Sequence, residues 1–309
     1  MGVSKREEML NVFIDYLRDI RHYSPHTLRG YRDDLLQFFA FHGLNEQEMD
    51  FSGITTKMVR SWLVAEMSGD CRRDRPGKKL SATSGRRKLS SVKAFFRFLV
   101  KRGLLEVDPS SAISGPKTAK RLPVFVPEEQ MERVLDGGPG ESGFSFSRDW
   151  LILLTLYATG LRRSELVALK IEDVDFSRQC LRVTGKGKKQ REIPLIRELA
   201  EALACYLEAR KAVVREEHHL FFVTDKGTPI YDKYVYRVIV RELAGDTSLS
   251  KRSPHVLRHT FATHLLNNGA TIQGIQELLG HSSLAATQIY THNTVEDMLK
   301  VFKQAHPRA

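Results

Sequence analysis

Apolar residues recur mostly at three- and four-residue intervals, so the pattern predicts a mainly α-helical chain carrying a small β-sheet. Met9, Phe13, Tyr16 and Leu17 form one stripe, which ends before Ser24-Pro25. Tyr31, Leu35, Phe38 and Phe39 form a second, opened by Ser24-Pro25-His26-Thr27-Leu28. After Ile54 and Thr55, the recurrence of Val59, Trp62, Leu63 and Met67 predicts a third helix. A polar loop over 69–80 leads to Ser81-Ala-Thr-Ser84, which starts a fourth with Leu89, Val92, Phe95, Phe96 and Leu99 as its apolar face. Gly103 and Asp108-Pro109 close it, so residues 1–112 read as a four-helix array.

Residues 113–121, Ile-Ser-Gly-Pro-Lys-Thr-Ala-Lys-Arg, have no periodicity and read as an interdomain linker. A second domain then spans 122–309, as a 309-residue chain is too long for one ordinary core. Pro127-Glu128-Glu129 opens a helix, and the apolar run 150–159 must be a buried one. Gly160 ends that run and 161–169 begins another helix, placing Arg162 near a helix N-terminus, where backbone N–H groups favour anions. Short alternating stretches at 180–183 and 192–195 flank Gly185-Lys186-Gly187, the signature of a hairpin. Helices follow at 199–210 and 233–243, and the apolar run 220–223 reads as a short strand or core segment.

Charge adds a partner to this picture. The net charge is +11, which points to a polyanion such as nucleic acid. Between Arg72 and Arg102 stand twelve Lys or Arg and one acidic residue, Asp74. Solvated helix flanks normally alternate in sign, and this one does not, so Arg86, Arg87, Lys93 and Arg97 are read as phosphate contacts. No apolar run approaches the length of a membrane span, and Lys5, Arg6, Glu7 and Glu8 give a polar start unlike a signal peptide. Three unpaired cysteines suit a reducing cytosol, so a cytoplasmic, nucleoid-associated protein without membrane insertion is expected.

The densest chemistry lies in residues 253–290. Ser253 and Pro254 suit an N-cap and first helical position, and Leu257, Phe261, His264 and Leu265 would face the core. His255 and Arg258, three apart, project from one face of the first turn. Asn267, Asn268 and Gly269 stop this helix. Ile272, Ile275, Leu278 and Leu279 mark another that Gly280 ends, and His281 follows at once. Ser282 or Ser283 can cap a third short helix bearing Tyr290. A zinc reading exists, with His255 and His259 four apart and His264 beyond. It lacks the HExxH glutamate, and Cys71, Cys180 and Cys205 are scattered, so no metal is expected.

The segments HVLRHTFATHLL, LLGHSS and TQIYTH resemble the C-terminal signature of the tyrosine recombinases, in particular the bacterial Xer type. Tyr157-Ala-Thr-Gly-Leu-Arg-Arg-Ser-Glu-Leu166 resembles that family's first-arginine segment, and Thr184-Gly-Lys-Gly-Lys-Lys189 its lysine-bearing turn. The resemblance covers nearly the whole chain. It implies an N-terminal SAM-like four-helix core-binding domain and a C-terminal α+β catalytic domain. Within GLRxSEL it assigns the catalytic arginine to Arg162 rather than Arg163. Without it, an ion pair of Arg162 with Glu165 or Asp173 would be the better reading. Lys186, Lys188 and Lys189 compete on composition, and the resemblance selects Lys186, leaving the other two for phosphates.

By the same resemblance Tyr290 is the nucleophile, Arg162 and Arg258 hold the nonbridging oxygens, and His255 assists proton transfer. Lys186 protonates the departing 5′ oxygen, and His281 hydrogen-bonds the phosphate. Neither ATP nor a cofactor is required, and the chain has no GxxxxGK[ST] loop. The implied partner is a double-stranded DNA recombination site, bound by a tetramer of this chain alone or with a paralogous Xer recombinase. A DNA-translocase activator is a further expectation. After Tyr290, Val295, Met298, Leu299, Val301 and Phe302 form an amphipathic helix that either packs back on its own domain or docks on a neighbouring protomer. The functional readings are a recombinase resolving chromosome dimers, a mobile-element integrase with the same chemistry, and a non-catalytic DNA-binding protein.

Overall fold

A computed structural model describes residues 5–44, 51–70, 77, 79–118, 124–136, 138, 143–185, 190–245, 249, 252–280, 302 and 305–308. The chain forms two compact units, 1–121 and 122–309.

In the first unit the stripes become α1 (Lys5–Asp19), α2 (Pro25–Phe41), α3 (Thr56–Ser68) and α4 (Ala82–Lys101), with a 3₁₀ turn at Phe51–Gly53. Three helix starts are fixed by the residues read as their openers. Ser24, Thr55 and Ser81 accept from the backbone N–H three residues on, satisfying donors that the helix itself cannot pair. The core is aromatic. Phe13, Phe38, Phe39, Trp62, Phe95 and Phe96 are fully buried, and Phe38 meets Trp62, Phe39 and Phe96 edge-on at 5.5–6.0 Å. Each such ring contributes about 2–3 kcal/mol by leaving water.

Segment 113–118, read as linker, lies against this unit. Ile113 is buried in its core, and Arg86 Nη1 donates to Thr118 Oγ1 at 3.1 Å. Gly115 packs on the Arg86 side chain.

The second unit is built around α6 (Phe144–Thr159), which starts six residues before the expected apolar run. The extra turns carry Arg148, a side chain only 1% exposed. It survives burial because its donors are taken by Asp149, Asp225 and the Val223 carbonyl, with Tyr234 closing the group. Around α6 pack α8 (Arg197–Lys211), α9 (Asp232–Glu242) and α10 (Pro254–Asn267). The remaining helices are α5 (Glu128–Asp136), α7 (Arg163–Val167) and α11 (Ile272–Leu279). The expected helix at 161–169 is thus a five-residue turn capped at Ala168, and a separate 3₁₀ turn follows at Ile171–Asp173.

The hairpin strands are β2 (Cys180–Thr184) and β3 (Gln190–Pro194), paired antiparallel with Leu181 opposite Ile193. A third strand, β1 (Val174–Asp175), pairs with β2 to give the order β1-β2-β3. Two residues carry no period, so β1 left no pattern to read. Residues 220–223 form isolated bridges, Lys170 to Leu220 and Val223 to Pro229, and serve as core: Phe221, Phe222 and Val223 are buried. At the C-terminus, Phe302, Ala305 and His306 pack into this same unit, so the described part of the tail folds back on its own chain. No described helix is long and apolar enough to cross a membrane.

Candidate active site

The end of α6 sets the first arginine. Gly160 takes a left-handed φ of +60°. A Cβ there would lie 2.5 Å from Phe261 and 2.8 Å from Leu279, so the turn requires glycine on both counts. Two residues on, Arg162 is the N-cap of α7. Its backbone N–H donates to Glu165 Oε2 at 2.8 Å and its Nη1 to Glu165 Oε1 at 2.8 Å. The ion pair read as an alternative to a catalytic role therefore exists, and Arg162 stays 39% exposed while making it. Holding and availability are compatible here. Arg163 points elsewhere, pairing with Asp232 at 2.9 Å.

The second arginine comes from α10. Leu257, Phe261, His264 and Leu265 are buried as the periodicity requires. Ser253 stands at the N-cap position, but its hydroxyl makes no cap bond. Arg258 is buried; its Nη1 donates to the Gly160 carbonyl and its Nη2 to the Leu279 carbonyl, each at 2.6 Å. His255, one turn earlier, is exposed. Both line a pocket of about 390 Å³ between α10 and α11, walled by Ala262, Leu266, Ile272 and Ile275.

The C-terminus of α11 is where these parts meet. Its last carbonyls have no partners within the helix and carry the negative end of its dipole. Arg191 Nε donates to Leu278 O at 2.8 Å, Arg258 Nη2 to Leu279 O at 2.6 Å, and Arg162 Nη2 to Gly280 O at 3.3 Å. Three consecutive carbonyls thus each receive a different guanidinium. Sequence places His281 next in the chain.

Glu165 balances the cations. Its side chain is 6% exposed, and Arg191 holds it with two bonds of 3.1 and 2.8 Å. Burial alone would raise the Glu165 carboxyl. The bonds from Arg191 and from the Arg162 N–H outweigh it and keep the group below the usual carboxylate range. Arg258 shows the opposite balance. Burial, then the charge of Arg162, pushes it down to about 10. Three guanidiniums against one carboxylate leave an excess positive charge for an anion.

Periodicity gave neither Glu165 nor Arg191 a role in the site. Glu165 was legible as an ion-pair partner within GLRRSEL, whereas Arg191 was hidden in a basic run beside three lysines. Lys186, Lys188, Lys189, His281 and Tyr290 lie outside the described residues, as does the segment expected to form the helix bearing Tyr290. Among the described residues, no group of three or more His, Cys, Asp or Glu could hold a metal ion. His264 is satisfied instead by Tyr157 Oη at 3.0 Å and the Val126 carbonyl at 2.9 Å.

In the first unit, Arg97 is exposed and Lys93 partly so, and Arg86 is an exposed side chain bonded to Thr118. Arg87 is ion-paired with about half of its side chain still exposed. It makes a two-pronged pair at 2.7 and 2.8 Å with Asp34, whose side chain is 3% exposed. Lys88, in the same basic run, is turned inward onto Glu66 and Gln37.

Comparison with known proteins accounts for both units. The phage integrase family matches residues 125–297, and the phage integrase N-terminal SAM-like domain matches 10–103. The tyrosine recombinase XerC of Chlorobaculum tepidum is 37% identical over 321 residues, covering 97% of this chain and 94% of that one. A tyrosine recombinase XerC of Mycobacterium sp. strain KMS is 39% identical over 308 residues, covering 98% and 100%. Among solved structures, the Tn1549 transposon integrase with a circular intermediate DNA gives a TM-score of 0.69 at 19% identity, covering 98% of this chain and 99% of that one. The XerH recombinase bound to palindromic difH gives 0.67 at 23%, covering 89% and 78%. These last two carry the fold alone. The chain belongs to the phage integrase family, as a tyrosine-type site-specific recombinase that cleaves and rejoins DNA.

Proposed function

We propose that this recombinase acts at a double-stranded DNA site to resolve chromosome dimers, cutting each strand through a 3′-phosphotyrosyl intermediate. The observation that carries the chemistry is the convergence of Arg162 and Arg258 on neighbouring carbonyls, those of Gly280 and Leu279 at the end of α11, with His255 exposed one turn before Arg258. A phosphodiester resists attack because its oxygens are already negative. Two forked guanidiniums placed in advance offset the charge that builds in the transition state, commonly by about 3–4 kcal/mol per donor.

Tyr290 attacks the phosphorus, and the bond to the 5′ oxygen breaks. The phenol proton passes toward His255, Lys186 donates a proton to the leaving oxygen, and His281 supports a nonbridging oxygen. The new ester keeps the energy of the broken one, so a 5′-hydroxyl from another strand can reverse the attack without ATP. The N-terminal unit serves as the core-binding domain, with Arg86, Lys93 and Arg97 on phosphates, and Lys188 and Lys189 add contacts from the hairpin. Arg87, half exposed while paired with Asp34, joins the contacts from α4. The working assembly is a tetramer with itself or with a paralogous Xer recombinase, under the control of a DNA translocase, in the cytoplasm at the nucleoid. The full-length match to XerC enzymes favours this reading over a mobile-element integrase.

The test is a nicked or phosphorothiolate duplex carrying a candidate site from the same genome, incubated with wild type and Tyr290→Phe. A denaturant-resistant protein–DNA adduct is expected with wild type alone. Intact binding without any adduct, even with candidate partner recombinases added, would leave a DNA-binding protein without strand cleavage.

A further inference from the structure

We infer that Arg191 is a positioning residue for strand cleavage, which keeps Arg162 and Arg258 aimed at the phosphate by sharing Glu165 and bracing the end of α11. The inference rests on the recombinase reading for its catalytic consequence and on geometry for the rest. Arg191 sits on β3 with its side chain only 11% exposed, far from the solvated state normal for arginine. Its donors are distributed over two elements: two reach the Glu165 carboxylate of α7, and Nε reaches Leu278 O of α11. Gly280 completes the seat. A Cβ at that position would lie 3.2 Å from the Arg191 Cδ and Nη1, so the turn leading to His281 packs directly on this guanidinium.

The consequence for Arg162 follows from counting acceptors. Glu165 Oε1 already receives Arg162 Nη1 and Arg191 Nη1, and Oε2 receives the Arg162 backbone N–H and Arg191 Nη2. With Arg191 in place, Arg162 has one side-chain bond to the carboxylate and turns Nη2 toward Gly280. Without it, a nearly buried carboxylate is left to one cation, and a forked pair drawing the whole Arg162 guanidinium inward becomes the best arrangement. The α11 end would lose its brace at the same time, and the Leu279 carbonyl that anchors Arg258 belongs to that end. A displacement of about 1 Å at such a site costs about 100-fold in rate. Lysine cannot substitute fully, since it lacks the planar fork that reaches both elements.

The test compares wild type, Arg191→Gln and Arg191→Lys in the full chain by two readouts. The first is side-chain ¹⁵N NMR of the guanidiniums in the protein without DNA, which needs no activity. Arg258 N–H exchange should accelerate about tenfold in Arg191→Gln, in line with loss of roughly one hydrogen bond's worth of anchoring, and less in Arg191→Lys. The second is single-turnover adduct formation on two suicide duplexes, one with an ordinary 5′ oxygen and one with a bridging 5′ sulfur. Sulfur leaves without a general acid, so it rescues a defect in leaving-group protonation but not a defect in arginine aim. Arg191→Gln should lose about 100-fold on both duplexes with DNA affinity retained, and Arg191→Lys should fall between.

Unchanged Arg162 and Arg258 signals, adduct rates within a few-fold of wild type, or rescue by sulfur would each overturn the inference. Unfolding of both variants would overturn it too, by making Arg191 a stability residue. If wild type forms no adduct while the arginine signals still move, the positioning geometry stands and the recombination reading fails.

Discussion

Arg258 and Leu279 meet at 2.6 Å, the guanidinium Nη2 donating to the carbonyl that closes α11. Its Nη1 makes the matching bond to Gly160 at the end of α6, so one side chain staples two helix C-termini. Carbonyl anchoring fixes the cation without neutralising it. Because burial, then Arg162, holds the group down at about 10, its folded value lies below its ordinary one. The charge therefore costs stability at all lower pH, and the cost is relieved only as pH rises above about 10. A bound anion relieves it at neutral pH. Sulfate or vanadate should accordingly raise the Tm of wild type, and Arg258→Lys should blunt that rise, as followed by differential scanning calorimetry. Single-turnover cleavage by Arg258→Lys should fall about 10²–10³-fold, because lysine cannot span both carbonyls.

Glu165 should behave as a structural and catalytic keystone. Glu165→Ala leaves two arginines without their shared anion, and breaking a buried pair of this kind costs about 3–5 kcal/mol. The pH sign follows from its lowered carboxyl. The stabilisation is complete above the unfolded value of about 4.3 and is lost as pH falls through the lower folded value. Urea unfolding between pH 7 and pH 3 should show a shallower acid slope for Glu165→Gln than for wild type. An unchanged slope would mean that Glu165 is not the group being titrated.

Much of this could be read from the chain before any coordinates. Helices with a clear stripe and a Ser or Thr at the start, such as those opened by Ser24, Thr55 and Ser81, appear where the pattern puts them. The site was less legible for a physical reason. A motif marks which arginines matter, but its spacing does not say what holds them. The last two carbonyls of α11 and that of its capping Gly280 are backbone atoms and carry no residue identity, so no sequence pattern could announce them. Charge runs mislead in the opposite way. Arg86, Arg87 and Lys88 look alike in sequence, yet their partners are Thr118, Asp34 and Glu66, the first two 32 and 53 residues distant and the third on another helix.

That difference is testable within α4. Arg87→Ala strips the forked partner from Asp34, whose carboxylate is buried and retains Ser91 Oγ at 2.6 Å. Stability of the first unit should drop by about 3 kcal/mol, the low end for orphaning a buried charge because Arg87 itself is half exposed. Arg97→Ala should instead leave stability within about 0.5 kcal/mol and weaken DNA binding. Its salt dependence should be about 0.9 units shallower in log–log slope for one lost phosphate contact. Thermal unfolding together with a salt titration of affinity separates the two.

The tail provides the last prediction. His306 is 5% exposed, in tilted ring contact with Tyr157, Phe261 and Phe302, and its Nε2 is buried without a hydrogen-bond partner. Burial, then the neighbouring His264 and Arg308, pushes it down to about 3. The groups facing it are Tyr157 from α6 and His264 from α10, themselves joined at 3.0 Å, and Arg308, whose fork is held by Glu198 at 2.8 and 2.6 Å. No carboxylate stands among those ring contacts to welcome a proton. The folded value lies below the unfolded one of about 6.5, so the unfolded or undocked tail binds the proton more tightly. Docking is then fully stable above pH 6.5 and weakens by up to about 1.4 kcal/mol for each unit below it, until the tail releases. Asn268 Nδ2 and the Ala305 carbonyl, bonded at 3.0 Å, would part in the same step. Limited proteolysis from pH 7.5 to pH 5 should clip the C-terminus progressively faster in wild type. His306→Phe keeps the ring contacts without a titrating nitrogen, and its clipping rate should be flat over that range. A parallel rise in both proteins would trace the effect to another group and remove His306 from the account.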